Sequence, residues 1–183
     1  MKKMLSLMYL LSFFLMSCET QNYQNGEDRS SRGQVVNDLL YRIENSFEKK
    51  YKINAIATNI SMPGGVVKLL GLDFQMLGPL SKEEIRKILI TLSEEFLVFV
   101  NSDEAIKPYL KNYPFRIENI GITLFFIDSQ RMDLDDPYIG IAEISRGFLE
   151  YKILITIDDI PSFKSTSKES YEEALEALNR KEI

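Results

Sequence analysis

The sequence predicts an α+β domain: a mainly antiparallel sheet of about five strands with helices packed on one face, in the order α-β-β-α-β-β-β-α. Three observations predict it. Apolar residues recur at helical spacing in some segments of residues 34–183 and alternate with polar ones in others. A capping box at Ser81 to Glu84 marks one helix start. Turn signals at Pro63-Gly64-Gly65 and Arg146-Gly147 separate alternating runs.

The elements follow in chain order. Val36, Leu39, Leu40, Ile43 and Phe47 stand on one face of a helix over residues 34–50. Residues 51–62 and 66–77 flank Pro63-Gly64-Gly65, and Leu70, Leu72, Phe74 and Met76 alternate with Gly71, Asp73 and Gln75, which reads as a hairpin with one buried face. The glycines supply the positive backbone angles of such a turn, and no G-x-x-x-x-G-K pattern or following helix makes them a phosphate cradle. In Leu80-Ser81-Lys82-Glu83-Glu84-Ile85 the Ser81 and Glu84 side chains cap each other's backbone while Leu80 staples to Ile85, so a helix starts at Lys82. Its stripe is Ile85, Ile88, Leu89, Leu92, Phe96, Phe99 and Val100, widened by Ile90, Leu97 and Val98; a second half apolar almost all round makes this the most buried helix or one that faces a partner. Pro108 and Pro114 then confine residues 101–115 to a helical turn and an irregular link. Ile120, Ile122, Leu124 and Phe126 alternate, as do Ile139 and Ile141, and then Leu149, Tyr151, Ile153, Ile155 and Ile157: three strands, with Arg146-Gly147 turning the second into the third. A last helix starts near Ser170, with Glu173 three residues on and Tyr171, Ala174, Leu175 and Leu178 inward.

Ahead of this domain, Lys2 and Lys3 precede an apolar run, Met4 to Met16, and the small Ser17 precedes Cys18, the single cysteine of the 183 residues. The run is too short for the ~20 residues that cross a bilayer core and has the anatomy of an export signal. Leu15-Met16-Ser17-Cys18 resembles the lipobox of bacterial lipoproteins. That resemblance implies cleavage after Ser17, lipidation of Cys18 with diacylglycerol, and a lasting membrane anchor in the cell envelope, since two or more acyl chains hold stably where one does not. Residues 19–33 carry a single aromatic and no aliphatic side chain, which predicts a flexible tether. In lipoproteins of two-membrane bacteria an Asp after the lipidated Cys favours the inner membrane; Glu19 stands there instead, so the resemblance favours the outer membrane. The organisation expected is a signal peptide over residues 1–17, lipidated Cys18 and tether over 18–33, and one domain over 34–183. The helix followed by "PYLKNYPF" and an alternating strand is also similar to small secreted and lipoprotein domains of Gram-negative bacteria. The likeness brings no function with it.

Composition excludes more chemistry than it suggests. With one Cys there is no disulfide within the chain, so a packed core must hold the domain. With no His there is no Ser-His or Cys-His nucleophile and no His-liganded zinc. The chain has 22 basic and 27 acidic side chains; the 22 less Lys2 and Lys3 leaves 20 against 27, or −7, and such a charge repels phosphate backbones. No nucleic-acid partner and no cofactor are expected; the partners expected are the membrane, through the lipid, and an envelope protein or small ligand.

Three sets of residues remain as candidates. Glu118, Asp128, Glu143 and Glu150 lie on or beside strands, and two of them in one cleft would suit a carboxylate-dependent hydrolase. Asp128, Asp133, Asp135 and Asp136 sit in one connection, either as a polar hairpin loop or as oxygen ligands for a Ca²⁺ that stabilises the lipoprotein, although the EF-hand spacing is absent and Arg131 opposes a cation. Tyr109, Tyr113, Phe115 and Tyr138 are either core or an aromatic rim beside an exposed strand edge that accepts a partner. A binding or assembly module is the expected role, with the hydrolase and the Ca²⁺-stabilised lipoprotein as alternatives.

Overall fold

The structure, a computed structural model, describes residues 26–158 and 160–180. The signal peptide, Cys18 and the first part of the expected tether lie outside them. The chain divides into two units, residues 1–31 and 32–183. Of the first, residues 26–31 are described, as the opening turns of helix α1 (Gly26–Tyr51).

Strand β1 (Asn54–Ser61) follows, then a 3₁₀ turn at Pro63–Gly65, strand β2 (Leu69–Leu77), helix α2 (Lys82–Ser102), strands β3 (Ile120–Ile127), β4 (Ile139–Ser145), β5 (Phe148–Ile157) and β6 (Ile160–Ser170), and helix α3 (Tyr171–Asn179). The fold is α+β, with six strands in spatial order β1-β2-β3-β4-β5-β6. Every neighbouring pair is antiparallel except β2 and β3, which run parallel. The reason is α2: a helical crossover returns the chain to the end where β2 began, whereas tight turns reverse it.

Local chemistry sets the boundaries. Ser81 Oγ accepts from Glu84 N, and the Glu84 carboxylate accepts from Ser81 N at 2.8 Å, so α2 starts where the capping box places it. The same box recurs at Ser170 and Glu173 ahead of α3. Gly64 and Gly65 have φ of 64° and 82°, and Arg146-Gly147 have φ of 51° and 81°, the left-handed pair that a two-residue hairpin needs.

One face of the sheet is the core. Leu70, Leu72 and Phe74 of β2, Ile120, Ile122, Leu124 and Phe126 of β3, Ala142 and Ile144 of β4, and Leu149 and Tyr151 of β5 form one buried cluster with the stripes of α1 and α2 and with Ala174 of α3. The other face is open and polar. In register across it run Ala57, Asp73, Thr123, Glu143, Glu150 and Lys168, and beside them Asn59, Gly71, Gly121, Ser145, Phe148 and Ser170.

Two elements differ from expectation. Residues 26–33, read as tether, are helical, so α1 begins at Gly26 rather than at residue 34. Residues 160–170 form a sixth strand that apolar alternation does not reveal. As an edge strand β6 is exposed along most of its length; Lys168 stands on the open face opposite Glu150, and Lys164, opposite Ile153, puts a charge where an apolar residue would otherwise announce a strand. Val98 stays 64% exposed, so α2 is deeply buried through Ile85, Leu89, Leu92, Phe96 and Val100 but not all round.

Candidate functional site

At one end of the sheet meet the last residue of β1, the starts of β2 and β3, the β4–β5 turn and the last residues of β6. Three adjoining depressions run along this end. The first, about 470 Å³, is lined by Asn112, Tyr113, Pro114, Arg116, Glu118 and Asn119. The second, about 430 Å³, shares Glu118 and adds Ser61, Lys68, Leu69 and Arg146. The third, about 400 Å³, shares Arg146 and adds Glu143, Ser145, Phe148, Glu150 and Lys168.

Each side chain is held by its local structure. A 3₁₀ turn at Ile117–Asn119 leads into β3; Asn119 Oδ1 accepts from Arg116 N at 3.1 Å and Asn119 Nδ2 donates to Lys68 O at 3.3 Å, which fixes Arg116 and Glu118 beside the start of β2. Ile117 is buried beneath them, and the β4–β5 turn packs beside Ile117 and Glu118, with Gly147 at φ 81°, a backbone conformation that favours glycine. Tyr113 is placed from α2: its hydroxyl donates to Asn101 O at 3.2 Å, while the Asn101 side chain clamps Phe115 through both Phe115 N and O.

The electrostatics of this end divide into satisfied and unsatisfied groups. Lys152 Nζ donates to Glu143 at 2.8 Å and stands 3.7 Å from Glu150, so it bridges the two carboxylates and offsets one of their two charges. A hydrogen bond from Ser165, with the charges of Lys152 and Lys168, holds Glu150 below the usual carboxylate range. Burial lowers the Lys152 ammonium, but the two glutamates outweigh it and raise it overall. Lys168 lies over the Phe148 ring at 5.0 Å, and Lys107 lies over the Tyr113 ring at 4.9 Å. Lys68, Arg116 and Arg146 form no ion pair among the described residues, and Glu118 forms none either.

The expected aromatic rim is corrected. Tyr109, Tyr113, Phe115 and Tyr138 do not share one surface. Phe115 is 2% exposed and belongs to the core. Tyr109 is half-buried beneath Arg32, whose guanidinium carbon is 5.6 Å from the ring centroid. Tyr138 is exposed but stands just before β4, at the opposite end of the sheet from Tyr113. Only Tyr113, 55% exposed, lines the groove.

The acidic connection also differs from the Ca²⁺ reading. Asp128 Oδ1 accepts from Gln130 N and Met132 N at 2.8 and 2.9 Å, Asp133 pairs with Ile127 as an isolated bridge, Asp135 O accepts from Tyr138 N, and Asp136 N donates to Leu154 O. Asp128 organises the loop's own backbone. Among the described residues, no three His, Cys, Asp or Glu side chains converge to hold a metal. The carboxylate set divides as well: Glu143 and Glu150 face each other in register, while Glu118 precedes β3 and Asp128 follows it, at opposite ends of the strand. Glu150 is shifted toward the ionised form, whereas an acid catalyst needs the opposite shift.

No family model, curated protein or solved structure matches the chain.

The groove's cations escape sequence reasoning because they come from four separate segments. Lys68, Arg116, Arg146 and Lys168 share no motif; their common signal is position, each within a few residues of a strand end on one side of the sheet.

Proposed function

We propose that this chain is a lipid-anchored binding module of the bacterial cell envelope, engaging a protein or small ligand through the groove at the strand ends. The observation that carries the reading is the run of three depressions, of about 470, 430 and 400 Å³, which share residues and cross the sheet from Tyr113 to Phe148. A concave, polar surface with an aromatic at each end and two arginines between that form no ion pair among the described residues suits recognition better than turnover, because Arg and Tyr are residues in which binding energy concentrates. The anchor half of the reading is supported by the lipobox-like Leu15-Met16-Ser17-Cys18 behind its short apolar run. Glu19 in place of Asp favours the outer membrane. No described helix is long and apolar enough to cross a membrane.

Native mass spectrometry of full-length protein, extracted gently from its own membranes, tests the reading. The expected mass is that of a chain beginning at Cys18 plus acyl chains, with a companion species bound. A chain of unmodified mass retaining residues 1–17, with no companion, would overturn it.

A further inference from the structure

We infer that the strand-end groove takes an extended acidic peptide segment of a partner protein, with carboxylates set against Lys68, Arg116, Arg146 and Lys168. This rests on the binding role proposed above. Neighbouring strands are ~4.8 Å apart, so Lys68 before β2 and Lys168 in β6 stand four strand steps apart, ~19 Å, and an extended chain at ~3.3 Å per residue covers that span with about six residues. The charge balance favours an anion. The chain as a whole carries −5, yet its groove carries three cations without ion pairs among the described residues, Lys68, Arg116 and Arg146, against one such carboxylate, Glu118. Glu143 and Glu150 are offset by two cations, Lys152 and Lys168, so the net positive charge of the groove comes from Lys68, Arg116 and Arg146 against Glu118.

The end residues point to a peptide rather than to a free ion. Tyr113 and Phe148, 55% and 47% exposed, bracket the groove, and each has a lysine ammonium about its ring, at 4.9 and 5.0 Å. An aromatic surface beside a cation suits a segment carrying apolar side chains next to acidic ones. The guanidinium forks of Arg116 and Arg146 grip carboxylates in two-point contact. Glu118, between them, opposes an anion and favours a ligand that carries an amide or hydroxyl there.

The test titrates full-length protein in detergent micelles against fluorescein-labelled hexaglutamate, hexalysine and oligogalacturonate, followed by anisotropy. Hexaglutamate is expected to bind at least about tenfold more tightly than either other probe, and to weaken about tenfold in the Arg116→Gln/Arg146→Gln variant. Lys49→Gln/Lys52→Gln, which removes exposed cations next to the opposite end of β1, is expected to bind as the natural chain does. Lys68→Glu provides a second, independent loss at the groove. Binding of hexalysine equal to hexaglutamate, preference for oligogalacturonate, or unchanged affinity in the groove variants would each overturn the inference. The titration needs neither anchor nor native partner, so its failure leaves the envelope reading standing; that reading fails on the native mass.

Discussion

Replacing Glu169 with Gln tests how the sheet is tied to its helices. Glu169 is the last β6 residue before the Ser170 cap of α3, and its carboxylate takes two hydrogen bonds from Arg86 of α2, at 2.9 and 3.0 Å. Tyr151 of β5 donates a third at 2.6 Å, and Lys82 lies 4.8 Å from the same ring. The Arg86 and Glu169 side chains are only 9% and 13% exposed, so their solvent is largely gone and the pair depends on its own geometry. Glu169→Gln leaves a buried guanidinium without its counter-charge, at a cost of about 3 kcal/mol, the low end for broken buried pairs because the amide oxygen still accepts one bond. In a domain of this size that lowers Tm by about 10 °C. Urea unfolding followed by far-UV circular dichroism measures it. The double variant Arg86→Met/Glu169→Leu is expected to recover only part of the loss: apolar replacement of both partners removes the desolvation cost together with the attraction, but it leaves the buried Tyr151 hydroxyl without its acceptor. A loss below about 1 kcal/mol in the single variant would refute the reasoning, because that is the range of solvated pairs.

Three further outcomes are expected. Burial raises the Glu169 carboxyl, but the bonds from Arg86 and Tyr151 outweigh it and the group lies below its ordinary value of 4.5; its stabilisation is therefore full above that pH and fades as pH falls through the lower folded-state value, so natural and Glu169→Gln curves converge in acid. Phe47→Ala empties a fully buried position whose ring lies 5.8, 6.0 and 6.2 Å from those of Tyr51, Phe74 and Phe99, at a cost of about 3–5 kcal/mol in urea unfolding. Gly71→Ala sets a methyl 2.9 Å from the Gly121 carbonyl oxygen across the parallel pair and costs about 1–3 kcal/mol, whereas Gly33→Ala, in helix α1 with nothing within 4 Å, is neutral or stabilises by up to about 1 kcal/mol.

What the sequence makes legible is whatever a local rule governs. The capping boxes at Ser81 and Ser170, the glycine turn after Pro63, the Arg146-Gly147 hairpin and the stripes of α1 and α2 all stand where residue type and spacing place them, because each is decided within a few residues. What depends on distant partners is hidden. β6 becomes a strand because β5 offers it a ladder from Phe148 to Ile157, and its own sequence, with Ser162, Ser165, Ser167 and two lysines, shows no buried face. The same holds for the groove. Tyr113 is the one aromatic candidate found there, while Phe115, two residues on, turns inward because Asn101 of α2 clamps its backbone. Arg116 and Arg146 are 30 positions apart in sequence and come to line adjoining depressions only through the β3–β4 pairing, which nothing local announces.

The strand-end groove is the proposed binding surface. A photo-crosslinking residue placed at Glu118 in the full-length protein, in its native envelope, tests it most directly, with Lys87 on the exposed side of α2 as the comparison site. A discrete adduct at position 118 that is absent at position 87, and is lost in the Arg116→Gln/Arg146→Gln background, is the result predicted. Equal adducts at both sites, or one at 87 alone, would contradict it.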